Sequence, residues 1–315
     1  KIPVAKIKVL EEWVKMGAPA PVGAGNKLTG LSQKARDHWA YKPVVKPVVP
    51  EVKNKVWVHN PIDSFVLAKL ESVGLQPNPT TNPESLLRRI HYDLVGLPPV
   101  ADKVRAFSGQ YTAAVLVDAA SIQRGQLGKA VDTLIAKEVD ELLASPHYGE
   151  RWGRHWLDTA RYSDTRGLAV DQGNSLFEDY RYAYAWTYRN YVIDAINTDK
   201  PYDQFIVEQL AADRLPDLKK EDPRLAALGF ITVGKRFDNK DDTIDERIDT
   251  TTKAFLGLTV ACARCHDHKF DPIPAADYYS LHGIFASTIE PLQRPLISSP
   301  DAAAQRADFE KRLKA

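Results

Sequence analysis

The chain has 315 residues, enough for one large domain or two smaller ones. Its 42 basic and 41 acidic residues leave a net charge of +1, which argues against a nucleic-acid partner and against electrostatic attachment to an anionic membrane. No apolar run reaches the ~20 residues of a bilayer-spanning helix, so the composition predicts no membrane span in this chain.

The N-terminal part predicts two different segments before the main domain. Residues 1–20 carry apolar side chains at helical spacing up to Lys15, followed by Gly17, and we interpret them as the C-terminal tail of a preceding module. Residues 21–58, here called the strap, are rich in proline and predict an extended linker. Because the chain starts at Lys1 and stops inside a charged helical pattern, we expect it to be part of a longer protein, with 291–315 beginning a following region.

Residues 59–290 predict one mainly α domain, because alternating strand patterns are scarce. Asn60-Pro61 and Asn82-Pro83 are typical helix starts, and Gly74 and Gly96 are the corresponding stops. Further helices are predicted over 129–144, 148–162, 178–197, 201–212, 243–261 and 275–286. The stretch 103–128 is rich in small residues and weakly patterned, which predicts an insertion.

The most specific motif is the C-x-x-C-H sequence at Cys262-Ala263-Arg264-Cys265-His266. In such a motif two thioethers anchor a porphyrin, and the adjacent histidine is placed under the iron as its proximal ligand. We therefore predict one covalent c-type haem, with His266 as the proximal iron ligand and Arg264 as a further contact. The predicted fold is an irregular multi-helix domain with long connections around this haem.

Two other chemistries compete for the same cysteines. Cys262, Cys265, His266 and His268 include four possible zinc ligands, but four ligands within seven residues would be cramped. A thiol redox pair is favoured at a helix start after a strand, whereas 256–261 is predicted to be helical. Haem attachment is the favoured interpretation.

The second axial ligand must come from elsewhere in the chain. His268 lies only two residues from His266, and ~7 Å of extended chain is too short to pass from one face of a porphyrin to the other. A turn-capping role is predicted for it. His155 is the candidate distal ligand and His147 the next, both in an aromatic, arginine-rich segment suited to lining a macrocycle. A hydrogen-bonded core histidine is the alternative for His155.

Three groups of side chains near these histidines have open interpretations. The first is Asp158, Arg161, Asp164 and Arg166, and the second is Asp241, Asp242, Asp245, Glu246 and Asp249. Both could serve haem propionates or acid–base chemistry, and the second could bind Ca²⁺, but surface ion pairs are the favoured alternative. The third is an aromatic run, Tyr180, Tyr182, Tyr184, Trp186, Tyr188 and Tyr191, which is interpreted mainly as core, with an electron route or a pocket wall as alternatives.

Several long segments together resemble one protein family. They are His38-Trp39-Ala40, Asn60 to Asp63, Asp93 to Pro99, Ser145 to Tyr162, Asn197 to Asp203 and Cys262 to Pro274. These segments look like the DUF1549 domain of planctomycete-type multidomain cytochrome c proteins, in which a cytochrome c module precedes the domain and DUF1553 follows. The resemblance implies a large periplasmic or extracellular cytochrome and leaves its reaction unassigned.

Three functions remain open at this point. The first is electron transfer by a low-spin haem, with other haem domains of the same protein or a redox partner protein as partners. The second is a haem peroxidase or other haem-dependent oxidoreductase, suggested by the arginines and carboxylates of 145–166. The third is a structural or binding module in which the haem is structural, for example one that assists polysaccharide attachment at the cell surface.

Overall fold

The computed structural model describes residues 4–16, 37–123, 129–165, 182–234 and 239–291, with the isolated positions 237, 295, 297, 311 and 312. Eleven α-helices lie wholly within these residues, and no β-strand occurs among them. The helices are α1 (Val4–Lys15), α2 (Pro61–Ser72), α3 (Pro83–Leu94), α4 (Ala101–Gln123), α5 (Ala130–Leu143), α6 (Pro146–Thr159), α7 (Ala185–Asn197), α8 (Tyr202–Ala211), α9 (Gly229–Thr232), α10 (Lys240–Leu256) and α11 (Ala275–Ala286). The mainly α fold class is therefore confirmed.

The predicted starts and stops of α2 and α3 are confirmed. Asn60 caps α2 through the backbone N–H groups of Ile62 and Asp63, and the Asp63 carboxylate accepts from the Asn60 backbone in return. Gly74 and Gly96 follow the two helices with φ near +72°, a conformation that glycine adopts without a steric penalty.

The weakly patterned stretch 103–128, interpreted as a possible insertion, is helical over most of its length. Residues 101–123 form α4, a helix of 23 residues that buries Phe107 and Ala114, and 124–128 lie outside the described residues. Small residues such as alanine favour a helix even where the apolar periodicity is weak, because they lose little side-chain entropy. The carboxylate of Asp118 then accepts from the first backbone N–H groups of α5.

The helix predicted over 243–261 ends earlier than expected. Helix α10 stops at Leu256 because Gly257 turns into the left-handed conformation, and its N–H bonds the Lys253 carbonyl. A 3₁₀ helix, Val260–Arg264, follows after a short irregular link. The start predicted for α7 at residue 178 lies outside the described residues, which resume at 182. The helix itself begins at Ala185.

Many of the buried hydrophobic side chains form two clusters. The larger one, the aromatic core, lies between α6, α7, α8, α9 and the end of α10; its members include Tyr188, Tyr191, Val192, Phe205 and Phe230. Helix α6 packs closely on α7 at Gly149. Any residue with a Cβ at this position would overlap the Ile193 carbonyl oxygen. The smaller one, the motif core, joins α10, α11 and the 3₁₀ turn that carries the cysteines.

Candidate functional site

The C-x-x-C-H sequence lies on a 3₁₀ turn whose inner side is anchored. Val260 and Ala263 are buried against Ile244 and Ile248 of α10. In a 3₁₀ helix the side chains at positions i and i+3 eclipse each other, so this spacing places Cys262 and the C-capping Cys265 on one side. Both thiols are free and exposed.

Arg264, the predicted haem contact, is directed to helix α10. Its guanidinium donates to Asp242 at 2.9 Å and lies 3.7 Å from Asp245. The hydrogen bond to Asp242 raises the pKa of Arg264 above its ordinary value. From α11 the Tyr279 hydroxyl donates to the Arg264 carbonyl at 3.0 Å. These contacts hold the backbone between the two cysteines in place, which gives Arg264 a positioning role.

His266 forms a hydrogen bond of the kind that suits an axial ligand. Its Nδ1 lies 2.7 Å from the backbone carbonyl oxygen of Asp267. A carbonyl only accepts, so Nδ1 carries the hydrogen and the Nε2 lone pair of the neutral ring is free. A hydrogen bond of this kind orients metal-bound histidines in proteins.

His268 caps the turn that follows, as predicted. Its Nδ1 accepts from the backbone N–H groups of Phe270 and Asp271, at 3.3 and 2.8 Å, and its Nε2 lies 3.2 Å from the Thr259 hydroxyl. Both ring nitrogens are thus engaged. In the parts of the chain that the structure describes, no three His, Cys, Asp or Glu side chains are grouped so that they could hold a metal ion.

The two candidate distal ligands lie on the exposed side of α6. His155 Nε2 accepts from Arg151 at 3.3 Å, and His147 Nδ1 lies 2.7 Å from the Glu150 carboxylate. His155 would have to release Arg151 before its Nε2 could bind iron, whereas the Nε2 of His147 has no such donor.

No hydrogen bond, ion pair or ring contact between described residues joins either histidine to 262–266. Trp156, next to His155, contacts the ring of Phe255 at one end of α10, whereas Arg264 is bound near the other end at Asp242. The helical rise between these two positions is about 20 Å. The distal ligand therefore stays a prediction.

Exposed aromatic rings and part of the strap lie around the motif. Tyr41 of the strap donates its hydroxyl to Asp271 at 3.0 Å, and burial, followed by this bond, raises the tyrosine pKa. Trp39 is 81% exposed, Phe270 78% and Tyr279 57%. The proline pattern of the strap did not predict the contact between Tyr41 and Asp271. The only sequence signal nearby is the segment His38-Trp39-Ala40, which contributes to the family resemblance.

Ion pairs account for most of the arginine and carboxylate groups, but the Arg161 pair is buried between helices and differs in this from the surface pairs that were favoured. Arg161 reaches from the end of α6 to Glu246 and Thr250 of α10, in a largely buried contact. Burial raises the pKa of Glu246, opposed by the charge of Arg161. Asp158 forms an exposed pair with Arg154, and Arg166 lies outside the described residues. The Arg161 contacts join the end of α6 to α10, whereas the Asp158 pair lies within α6.

The aromatic run is divided between core and surface. Tyr188 and Tyr191 are buried, while Tyr184 and Trp186 are exposed. The Tyr188 hydroxyl donates to Gln209 and the Tyr191 hydroxyl to Glu208, both at 2.7 Å. Tyr180 lies outside the described residues. The core interpretation holds for the two buried tyrosines.

Fold and site define an all-helical domain that presents a C-x-x-C-H turn at its surface. The chain belongs to the PSCyt2 family, described as a protein of unknown function (DUF1549), whose model matches residues 61–290. No curated protein and no solved structure is found to match the chain. Among the described residues, no helix has the length and apolar character needed to cross a membrane.

Proposed function

We propose that this chain is a c-type cytochrome domain that carries one covalent haem and transfers electrons in an extracytoplasmic multidomain protein. The observation that carries the proposal is the arrangement of the 3₁₀ turn. Cys262 and Cys265 lie free and exposed, with the 3₁₀ spacing that brings two side chains to one side, and Nδ1 of the adjacent His266 faces a backbone carbonyl. When bound, the haem supplies one-electron redox chemistry, and the residues of this chain hold and orient it.

The surroundings of the turn also fit the haem. Phe270 and Tyr279 expose apolar ring surface near the motif, and such surface is stabilised when another group covers it. The Arg264–Asp242 contact and the buried Ala263 hold the turn from behind, so the thiols need little rearrangement to react. Tyr41 brings the strap to the same place.

Electron transfer is favoured over peroxide chemistry because the polar groups next to the motif have structural partners. Arg264 pairs with Asp242, and His268 caps a turn. A peroxidase needs a free base and a cation above the open face of the iron. The proposed electron partners are other haem domains of the same protein or a separate redox protein, in the periplasm or outside the cell.

Haem attachment is tested by producing the chain in a bacterial periplasm together with a c-type haem maturation system. We expect one haem per chain that stays attached in denaturant, measured by the pyridine haemochrome spectrum and by intact mass. Cys262→Ser with Cys265→Ser should abolish attachment, and the matched surface variant Ser72→Ala should leave it unchanged. A protein of unmodified mass under conditions that mature a control cytochrome c would contradict the proposal.

The function of the bound haem is tested separately by its coordination. An electron-transfer haem should give a low-spin, six-coordinate spectrum with reversible reduction, while a high-spin haem that binds cyanide readily would favour the peroxidase alternative. His155→Ala and His147→Ala test the predicted distal ligand. The variant that removes it should convert the spectrum to high spin without loss of covalent haem.

A further inference from the structure

A second candidate site lies along α6, on the face that carries His155. It is an open cleft of about 460 Å³ between α6 and the junction of α7 with α8. Its lining is rich in aromatic rings, with a few polar side chains at the rim: Tyr148, Trp152, His155, Trp156, Thr159, Asp199, Lys200, Tyr202 and Phe205. A cleft of this size is in the range that binds small ligands.

The aromatic rings of the cleft are held from behind and exposed in front. Trp152 Nε1 donates to the Asp93 carbonyl at 3.1 Å, and Trp156 Nε1 donates to Gln209 at 2.7 Å. Trp152 is nevertheless 43% exposed and Tyr202 56% exposed. Tyr202 lies edge-to-face with Trp156, with ring centroids 6.5 Å apart. The rings are thus fixed before any ligand arrives, which lowers the entropy cost of binding.

The rim of the cleft offers hydrogen-bonding groups that the described part of the chain does not use. Neither the Asp199 carboxylate nor the Tyr202 hydroxyl has a side-chain hydrogen-bond partner among the described residues. Lys200 is different, because its ammonium pairs with the buried Glu208 at 2.6 Å and lies over the Tyr191 ring. The free charge that Asp199 presents is therefore negative.

Asp199 occupies a backbone position where glycine is the favoured residue. Its φ is +49°, and it closes α7 in a Schellman motif, in which its N–H bonds Ile196 and that of Lys200 bonds Ala195. An aspartate in this conformation is less stable than glycine. The sequence thus places a carboxylate at the rim at some cost in stability, which points to a use for that carboxylate.

We propose that this cleft binds a glycan built of pyranose rings. A pyranose has an apolar C–H face that packs on an exposed aromatic ring, here Trp152 or Tyr202, and hydroxyl groups around its edge. The Asp199 carboxylate accepts hydrogen bonds from those hydroxyls, and the Tyr202 hydroxyl donates or accepts one. An open cleft suits such a ligand, because its remaining hydroxyls stay in water. The proposal uses Trp152, Tyr202 and Asp199, and it does not use His155, the candidate distal haem ligand that also lines the cleft.

The test is affinity electrophoresis of the full chain in native gels that contain hydroxyethylcellulose, xylan, laminarin or dextran. We expect retardation in at least one gel, and titration calorimetry with the corresponding hexasaccharide should then give a dissociation constant. Tyr202→Ala and Trp152→Ala should each weaken binding about tenfold, as for aromatic anchors at other interfaces. Trp186→Ala, which removes an exposed ring of α7 outside the cleft, is the matched control and should bind normally.

Asp199→Gly separates a binding role from a structural one. It removes the carboxylate and suits the left-handed backbone, so the variant should be at least as stable as the wild type while it binds the hexasaccharide more weakly. Normal binding by Asp199→Gly would remove the carboxylate from the proposal. Retardation in none of the four gels, or equal retardation of all variants, would overturn the proposal. So would binding of a planar aromatic dye at Trp152 with no glycan bound.

Discussion

The aromatic residues of this protein lie in two contrasting environments. In the aromatic core, Tyr188 and Phe230 are almost completely buried, and the Trp156 indole N–H and the Tyr188 hydroxyl both donate to Gln209. Near the cysteine turn, Phe270 and Tyr279 are largely exposed. The first region is completed by its own chain, because each ring finds apolar contacts and each polar atom a partner. The second presents apolar surface next to free thiols, and the haem proposal accounts for this difference.

The largest expected difference in unfolding free energy is between alanine variants of two phenylalanines, Phe230 and Phe270. Phe230→Ala should cost about 3–5 kcal/mol of unfolding free energy, because it leaves a cavity between Trp156 and Phe255. Phe270→Ala should change the haem-free protein by less than ~0.5 kcal/mol, since the ring is mostly in water. Urea unfolding followed by circular dichroism measures both values. Equal losses would show that the ring of Phe270 is buried in solution and would remove the contrast.

A smaller effect is expected at the two arginine–carboxylate contacts of α10. Glu246→Gln should cost about 3 kcal/mol, because it leaves the buried guanidinium of Arg161 without its counter-charge. Asp242→Asn should cost less than ~1 kcal/mol, because its pair with Arg264 is partly exposed. The same urea experiment checks both, and in high salt only the Asp242 contact should weaken. A large loss for Asp242→Asn would mean that the cysteine turn contributes to global stability.

The smallest effect concerns pH and the rim of the aromatic core. Asp222 caps the 3₁₀ helix Pro223–Leu228, and its hydrogen bond from Arg224 holds its pKa well below the usual range. A lowered folded-state pKa gives stability that is present above the unfolded value of about 3.9 and is lost as the pH falls below it. Between about pH 7 and pH 3, Asp222→Asn should therefore lose about 1 kcal/mol less stability than the wild type.

The matched control is Asp217→Asn, which removes the exposed partner of the same arginine. Its stability should follow the pH dependence of the wild type. Urea midpoints measured at both pH values give the comparison. An unchanged slope for Asp222→Asn would show that other carboxylates dominate the acid unfolding of this protein.

Much of the fold followed from local sequence signals. The start of α2 at Asn60-Pro61 and its end before Gly74 were predictable because capping and the left-handed glycine depend on neighbouring residues alone. The same kind of signal failed at 103–128, where the sequence has weak periodicity and α4 nevertheless forms. Packing of α4 against α3 and α5 stabilises that helix, and such packing cannot be inferred from the segment itself.

Some features of the candidate site also follow from local sequence, and others depend on tertiary packing. The sequence by itself determined the pair of cysteines, the adjacent His266 and the turn-capping role of His268, because all of them follow from spacing within a few residues. Only the tertiary structure decided where Arg264 points, that Tyr41 meets Asp271, and that α6 displays His155 in an aromatic cleft. These contacts join residues far apart in the chain. Their geometry is fixed by the packing of whole helices, which a local pattern does not encode.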